Sequence, residues 1–287
     1  MLSILLSLVA IDALSPTAPW GGSARATAPI KPSPDRARQA RGPLPAEGCF
    51  LSPGETRSPR CVYGVPDSNR RVVLFGDSHA MHFFPGLRPL LRERNWRLVV
   101  LTKAGCPPML AVKRAASGEP TDCSIWRRRA LRRIESRPPD MIIAGGSVNY
   151  RLVDSRGEAL EEEDRQARLA SSYREVLRRL GRTGARTVVM KDVPMAPFDV
   201  PECVAEFIDQ PRECDFDLPA GHARNFDTRA ARKTGAKLVD VTGTICAEQR
   251  CRSVVRHRLV YRGGSHLTAP FARILRDRLA LALPRIR

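Results

Sequence analysis

The residues best suited to chemistry form a short run, Gly76-Asp77-Ser78-His79, directly after an apolar stretch of the chain. A serine hydroxyl becomes a useful nucleophile when a nearby base takes its proton and N–H donors stabilise the oxyanion that forms on attack. His266, which stands just before the last helical segment, could be that base. These residue types indicate acyl-transfer chemistry, with Ser78 as the nucleophile and His266 as the base.

Oxyanion donors are expected in the segments that follow the predicted strands. The backbone N–H groups of Ser78 and Gly105 are candidates, and the side chain of Asn149 could add an amide. Asp77 and His79, which flank the serine, are expected to support it, Asp77 as a helix cap.

A metal site is the competing interpretation for the histidines near the serine. His79 and His82 lie close together at a predicted helix start, but no carboxylate stands at a convincing spacing from them. We therefore expect these side chains to pack or to form hydrogen bonds, and predict neither a metal nor another cofactor.

The elements that must position these residues alternate along the chain. Short β-branched or aliphatic runs predict strands at 72–75, 97–101, 141–144, 186–190 and 237–241. Helical patterns occupy 81–94, 124–135, 161–181, 222–234 and 269–283. This alternation predicts a doubly wound, flavodoxin-like α/β sandwich of three layers, with a parallel sheet of about five strands. The carboxyl ends of those strands would gather the candidate residues at one edge.

The chain divides into three predicted parts. Residues 1–14 are apolar but too short to span a bilayer, and this segment has no positive residue ahead of its apolar core, as a standard export signal would have. A weak signal peptide, the remnant of a transmembrane helix and an irrelevant apolar terminus all remain open. Residues 15–48 are rich in Pro, Ala and Arg and predict a disordered linker, so the folded domain is expected to span 49–287.

Cysteine usage indicates the compartment. The even number, eight, the short intervals and the lack of any C-x-x-C motif favour disulfides in an oxidising compartment over a reduced cytosolic protein. We therefore predict an extracytoplasmic protein. Pairing of neighbours in sequence would give Cys49–Cys61, Cys106–Cys123, Cys203–Cys214 and Cys246–Cys251.

The formal net charge of +18 is carried mostly by arginine. Such a surface suits nucleic acid, anionic lipid or an acidic envelope polymer. No finger motif or glycine-aromatic RNA signature accompanies it, and aromatic residues make up 6% of the chain. The sequence therefore favours an envelope polymer over any specific nucleic acid as the partner.

Four motifs together resemble the SGNH hydrolase family, from about Cys49 to the end of the chain. The resemblance is closest to the extracytoplasmic branch fused to, or encoded beside, membrane acyltransferase-3 proteins that O-acylate envelope polysaccharides. The motifs are Gly76-Asp77-Ser78-His79-Ala80, Ala104-Gly105-Cys106-Pro107-Pro108, Cys123 with Trp126-Arg127, and Gly264-Ser265-His266-Leu267-Thr268.

The resemblance implies roles for particular residues. Ser78 would be the nucleophile, His266 the base and Gly105 the second oxyanion donor. The implied protein is an exported O-acyl transferase or esterase that acts on envelope glycan through an acyl-serine. A membrane acyltransferase-3 protein would donate the acyl group, and the domain is expected to be a monomer.

Two positions depart from the family pattern. The aspartate that usually stands three residues before the histidine is Gly263 here, and Asn149 matches the family's asparagine block only loosely. A backbone carbonyl could orient His266, or an acid such as Asp192 or Asp240 could approach it. The remaining alternative is a catalytically degenerate domain that binds an envelope polymer.

Overall fold

The computed structural model describes residues 28–109 and 121–286. The predicted apolar segment 1–14 and residues 15–27 of the predicted linker lie outside the described residues. In the part that is described, no helix is both long and apolar enough to cross a membrane.

Twelve strands and nine α-helices are found in the described ranges. The strands are β1 Phe50–Leu51, β2 Val62–Gly64, β3 Arg71–Gly76, β4 Arg97–Lys103, β5 Met141–Gly145, β6 Arg186–Met190, β7 Phe216–Asp217, β8 Lys237–Val239, β9 Cys246–Ala247, β10 Arg250–Cys251, β11 Val254–Val255 and β12 Arg258–Leu259. The helices are α1 Ser78–Met81, α2 Phe84–Glu93, α3 Thr121–Ser136, α4 Glu162–Gly181, α5 Val200–Glu206, α6 Phe226–Thr234, α7 Thr242–Ile245, α8 Ala269–Ile274 and α9 Arg276–Ala282.

The central sheet confirms the predicted fold class. Its order is β1-β4-β3-β5-β6-β8, and β2 pairs antiparallel with β4 on the edge that β1 also uses. The five predicted strands are β4, β3, β5, β6 and β8, which are all parallel and follow the flavodoxin-like order. The edge strands β1 and β2 were not predicted.

Alternating side chains of the central strands build two cores, one on each face of the sheet. In β3, Val72 and Leu74 pack into the core covered by α2, α8 and α9. Val73 and Phe75 point the other way, into the core covered by α3, α4 and α6. The sheet is therefore the middle of three layers.

Gly76 ends β3 and allows the chain to turn into α1. Its φ is +150°, and a Cβ there would lie 1.8 Å from the carbonyl oxygen of Gly145 on the neighbouring strand β5. A side chain at this position would push the two strands apart, so glycine is required where the strand delivers Asp77 and Ser78.

Residues 28–48 correct the prediction of a disordered linker. They contain a 3-10 helix, Pro34–Gln39, and they bury Ala37 and Leu44 in the core. The backbone N–H of Lys31 donates to the carbonyl of His257 at 2.9 Å, and Arg38 pairs with Asp199 at 2.9 Å. The composition suggested disorder, but these apolar side chains and backbone groups find partners on the domain.

Two of the predicted helices differ from their predicted form. The helix expected at 81–94 is split into α1 and α2, and the last helix is split into α8 and α9. Between β6 and α6 the chain also forms α5, the 3-10 helix Pro211–Cys214 and β7, none of which was predicted.

Four disulfides join the cysteine pairs that the nearest-neighbour pairing predicts. They are Cys49–Cys61, Cys106–Cys123, Cys203–Cys214 and Cys246–Cys251, and no described cysteine is free. Cys49–Cys61 ties the residue before β1 to the residue before β2, and Cys203–Cys214 closes the segment that carries α5.

Packing of the amino-terminal segment can be tested with one buried and one exposed leucine. Leu44 is 1% exposed, so Leu44→Ala should lower the free energy of unfolding by about 2–5 kcal/mol. Leu281 is 83% exposed, so Leu281→Ala should change it by less than about 0.5 kcal/mol. Denaturant unfolding measures both, and equal stabilities of the two variants would contradict the packing of residues 28–48.

Candidate active site

Ser78 and His266 meet at the carboxyl edge of the sheet. Ser78 is the first residue of α1, and its Oγ lies 2.9 Å from Nε2 of His266 although the two residues are 188 positions apart. Both side chains are half-buried, so the pair remains open to solvent on one side. This is a hydrogen-bond distance between a hydroxyl and an imidazole, as nucleophile activation requires.

A tight turn holds His266 over the serine. Tyr261 and Leu267 pair across the turn, and the backbone N–H of Arg262 donates to the carbonyl of His266 at 2.9 Å. Immediately after the turn, the Thr268 hydroxyl accepts a hydrogen bond from Phe271 N and caps α8. The turn is thus fixed at both ends, which limits the positions that the imidazole can take.

The other ring nitrogen of His266 has a weak partner. Its Nδ1 lies 3.5 Å from Oγ of Ser265, at the limit of a hydrogen bond. Within residues 28–109 and 121–286, no carboxylate is recorded as a partner of this ring. Asp240 pairs with Lys191 at 2.8 Å, and Asp192 pairs with His79. The two acids that the sequence offered as partners of His266 therefore bind other side chains.

The surroundings of His266 keep its imidazole neutral. Burial lowers its pKa far below the ordinary value, and the positive charges of His79, Arg262 and Arg41 lower it further. The neutral ring can accept a proton at Nε2, which is the form a general base needs.

Asp77 holds the loop that presents the serine. Its carboxylate is fully buried and accepts hydrogen bonds from His79 N at 2.7 Å, from Ser147 N at 2.9 Å and from the Tyr150 hydroxyl. The cap on α1 was predicted, but the links to the loop after β5 were not. These bonds fix the end of β3 to the end of β5 beside Ser78.

A second histidine–carboxylate pair lies directly behind the first. His79 Nδ1 is 2.7 Å from Asp192 Oδ1, and both side chains are buried. The other oxygen of Asp192 accepts from Val148 N at 2.9 Å. Burial alone would lower the pKa of His79, but the charges of Asp192 and Asp77 and the hydrogen bond to Asp192 raise it above the ordinary value.

Three histidine rings pack together in one cluster, tilted relative to one another. The ring centroids of His79 and His266 are 4.4 Å apart, and those of His79 and His82 are 5.2 Å apart. Burial and the neighbouring charges of His79 and His266 hold the pKa of His82 well below its ordinary value. His82 Nδ1 accepts a 3.4 Å hydrogen bond from Leu267 N, which links α1 to the turn carrying His266.

His79, His82 and Asp192 are also the group best placed to hold a metal, with one ligand-type atom each within 4.8 Å of the others. However, His79 Nδ1 and Asp192 Oδ1 are 2.7 Å apart and are already partners of each other. Since this is a hydrogen-bond length, the geometry favours a hydrogen-bonded cluster.

The two remaining predicted donors, Gly105 and Asn149, are both exposed. Gly105 is exposed in the turn after β4, with φ +62°, and the next residue forms the Cys106–Cys123 disulfide. Asn149 is exposed, and its amide lies 3.4 Å from the sulfur of Met195. Ser78 and His266 are thus brought together, whereas Asn149 is recorded in contact with neither.

The domain is thus a parallel α/β sandwich that carries the Ser78–His266 pair at the carboxyl edge of its sheet. A family model described as "SGNH domain (fused to AT3 domains)" matches residues 48–281. The chain therefore belongs to this family, which confirms the resemblance seen in the sequence. No curated protein sequence matches the chain.

Several solved structures are similar to this chain. The periplasmic domain of a lipopolysaccharide acetyltransferase from Salmonella ser. Paratyphi A is 14% identical, with a TM-score of 0.58 over 76% of this chain and 84% of that chain. The acetyl xylan esterase AlAXEase is 15% identical, with a TM-score of 0.42 over 75% and 100%. A GDSL-like lipase from Bacteroides thetaiotaomicron VPI-5482 is 12% identical, with a TM-score of 0.39 over 74% and 87%. The likeness to the Salmonella domain shows a shared fold and, at 14% identity, nothing more.

The pairing of His79 with Asp192 can be tested by titration. Replacing the carboxylate in Asp192→Asn leaves burial as the dominant influence, so the pKa of His79 should fall below the ordinary value of 6.5. Two-dimensional NMR of the imidazole nitrogens measures this pKa. Asp240→Asn, which removes a carboxylate that pairs with Lys191 instead, is the control. A His79 pKa unchanged by Asp192→Asn would contradict the assignment.

Proposed function

We propose that this domain is an extracytoplasmic, serine-dependent O-acyl transferase or esterase that acts on cell-envelope glycan through an acyl-serine intermediate. The observation that carries the proposal is the 2.9 Å distance between Ser78 Oγ and His266 Nε2. Membership of the SGNH family supports acyl transfer or ester hydrolysis as the reaction class.

The first half of the reaction forms the acyl-serine. Ser78 Oγ attacks the ester carbonyl while its proton moves to Nε2 of His266, which gives a tetrahedral intermediate. The N–H of Ser78, in the first turn of α1, and the N–H of Gly105 are the proposed oxyanion donors. The intermediate collapses when His266 returns the proton to the leaving alcohol oxygen, and Ser78 keeps the acyl group.

The second half depends on the acceptor. His266 takes a proton from the hydroxyl that attacks the acyl-serine and returns it to Ser78 Oγ as the ester bond to the serine breaks. Water as the acceptor gives hydrolysis, and a sugar hydroxyl gives transfer. The family description names fusion to AT3 domains, which supports transfer from a membrane acyltransferase-3 donor. Four disulfides support an oxidising, extracytoplasmic location.

We further propose that Ser78 and His266 work as a dyad. The ring must carry its proton on Nδ1 for Nε2 to act as the base, and the Ser265 hydroxyl at 3.5 Å is the recorded acceptor for that proton. In a serine protease, loss of the orienting carboxylate lowers turnover by about 10⁴-fold. A slow enzyme is therefore expected.

The dyad predicts large losses of activity on p-nitrophenyl acetate. Ser78→Ala removes the nucleophile and His266→Ala removes the base, which is worth about 10²–10⁴-fold. Ser136→Ala, at the exposed end of α3, is the matched control and should keep wild-type kcat/KM. A folded wild type without activity, or unchanged activity in both site variants, would favour the alternative that the domain only binds an envelope polymer.

The missing acid can be restored at position 263. The φ of Gly263 is not positive, so the backbone accepts a side chain at this position. A Cβ added there would lie no closer than 4.0 Å to any described residue beyond its chain neighbours, and the nearest atom is Asp199 Oδ2. Gly263→Asp therefore fits. The new carboxylate should hold the Nδ1 proton and raise kcat by about tenfold or more. Gly263→Asn is the uncharged control of the same size.

The pH profile of kcat/KM gives a second measurement on the same variants. Because the pKa of His266 is lowered, the wild type should keep its activity as the pH falls through 6.5. Gly263→Asp should raise that pKa and make kcat/KM fall at a higher pH than in the wild type. A well-folded Gly263→Asp protein with no gain in kcat and an unchanged profile would mean that His266 is already oriented by another group.

A further inference from the structure

A cavity of about 390 Å³ lies along β2, β3 and β4 and reaches the amino edge of the sheet. It is lined by five arginines, together with Ser58 and apolar side chains of β2, β3, β4 and α3. The five are Arg60, Arg71, Arg97, Arg133 and Arg137.

The parallel sheet brings these arginines together. Arg71 is the first residue of β3 and Arg97 is the first residue of β4, so both stand at the amino edge of the sheet. α3 runs back to the same edge and ends with Arg133 in its last turn. Ser78 follows the other end of the six-residue strand β3, about 20 Å away at 3.3 Å per residue.

The positive charge of the cavity is not neutralised by the domain. No acidic residue lines it, and none of its five guanidinium groups pairs with a carboxylate in the described parts of the chain. Asp140 accepts a hydrogen bond from the backbone N–H of Arg71 rather than from its side chain. Elsewhere, Arg165, Arg179 and Arg229 do pair with glutamates.

Two details show that the cavity could accept an anion. The Nε of Arg97 is buried and has no hydrogen-bond partner, which leaves a donor unsatisfied. Burial and the neighbouring charges of Arg137 and Arg60 lower the pKa of Arg133, so the guanidinium groups repel one another. A bound anion would relieve this repulsion, and the buried, unpartnered Nε of Arg97 shows that the domain itself does not pair this guanidinium.

We propose that this arginine cavity is a binding site for a phosphate-type anion, either a phosphate or a pyrophosphate group. A planar guanidinium fork matches phosphate oxygens in pairs, and five such groups call for a ligand with more than one negative charge. A single carboxylate would neutralise one of the five. The site does not depend on the chemistry at Ser78.

Calorimetric titration of the full chain with sodium pyrophosphate at low salt tests the proposal. The wild type should bind one equivalent, and rising salt should weaken the binding by screening. Arg60→Gln with Arg137→Gln removes two exposed cavity arginines and should weaken binding by about tenfold or more. Arg273→Gln with Arg278→Gln removes two exposed arginines from α8 and α9 and should change it by less than about twofold.

A third variant tests the same cavity with a separate check on folding. Arg97→Gln removes the arginine whose Nε is unpartnered and should also weaken pyrophosphate binding, while the melting temperature shows whether the protein remains folded. Ser78→Ala should bind pyrophosphate as the wild type does. Absence of saturable binding by the wild type, or an equal loss in the α8 and α9 control, would overturn the proposal.

The source of the phosphate is tested with vesicles. Phosphatidylcholine vesicles with and without phosphatidylglycerol separate a lipid headgroup from a soluble ligand. Phosphatidylglycerol-dependent binding lost in the cavity variants supports a headgroup, and pyrophosphate binding without vesicle binding supports a soluble phosphate-bearing ligand. Vesicle binding that the control variant loses equally, with no pyrophosphate binding, would mean general surface attraction and would contradict a built site.

Discussion

A hydrogen bond between Ser78 and His266 joins the beginning and the end of the folded domain. It requires glycine at position 76, where β3 ends, because a side chain there would collide with the carbonyl oxygen of Gly145. It also requires the turn before α8 to fold back over α1, where Leu267 N meets His82. The first central strand and the last turn must therefore both be in place before the pair exists.

The surroundings of this pair differ from a complete serine–histidine–aspartate arrangement. Gly263 stands where the aspartate of such an arrangement would be, three residues before His266. The carboxylate of Asp192 forms its hydrogen bond with His79 instead. His79 is thus held close to a carboxylate while His266 is surrounded by positive groups, and their pKa values move in opposite directions. The same histidine cluster therefore contains a ring that holds its proton and a ring that stays neutral.

Much of the sheet could be predicted from the sequence because its central strands are continuous runs of apolar residues. β1 and β2 have two and three residues, too few to show an alternating pattern. The segment 28–48 was predicted to be disordered because composition alone does not reveal that Leu44 reaches the core. The Ser78–His266 pair was predicted from residue types and the family motifs, whereas the bond between His79 and Asp192 joins residues 113 positions apart and has no local signal.

The most direct measurement of the central claim is acid-quench peptide mass spectrometry after brief incubation with p-nitrophenyl acetate. The account predicts an acetyl group on the peptide that contains Ser78, formed more slowly in His266→Ala and absent from Ser78→Ala. Turnover of the ester with an acetyl group that accumulates on a different residue, and persists in Ser78→Ala, would contradict it.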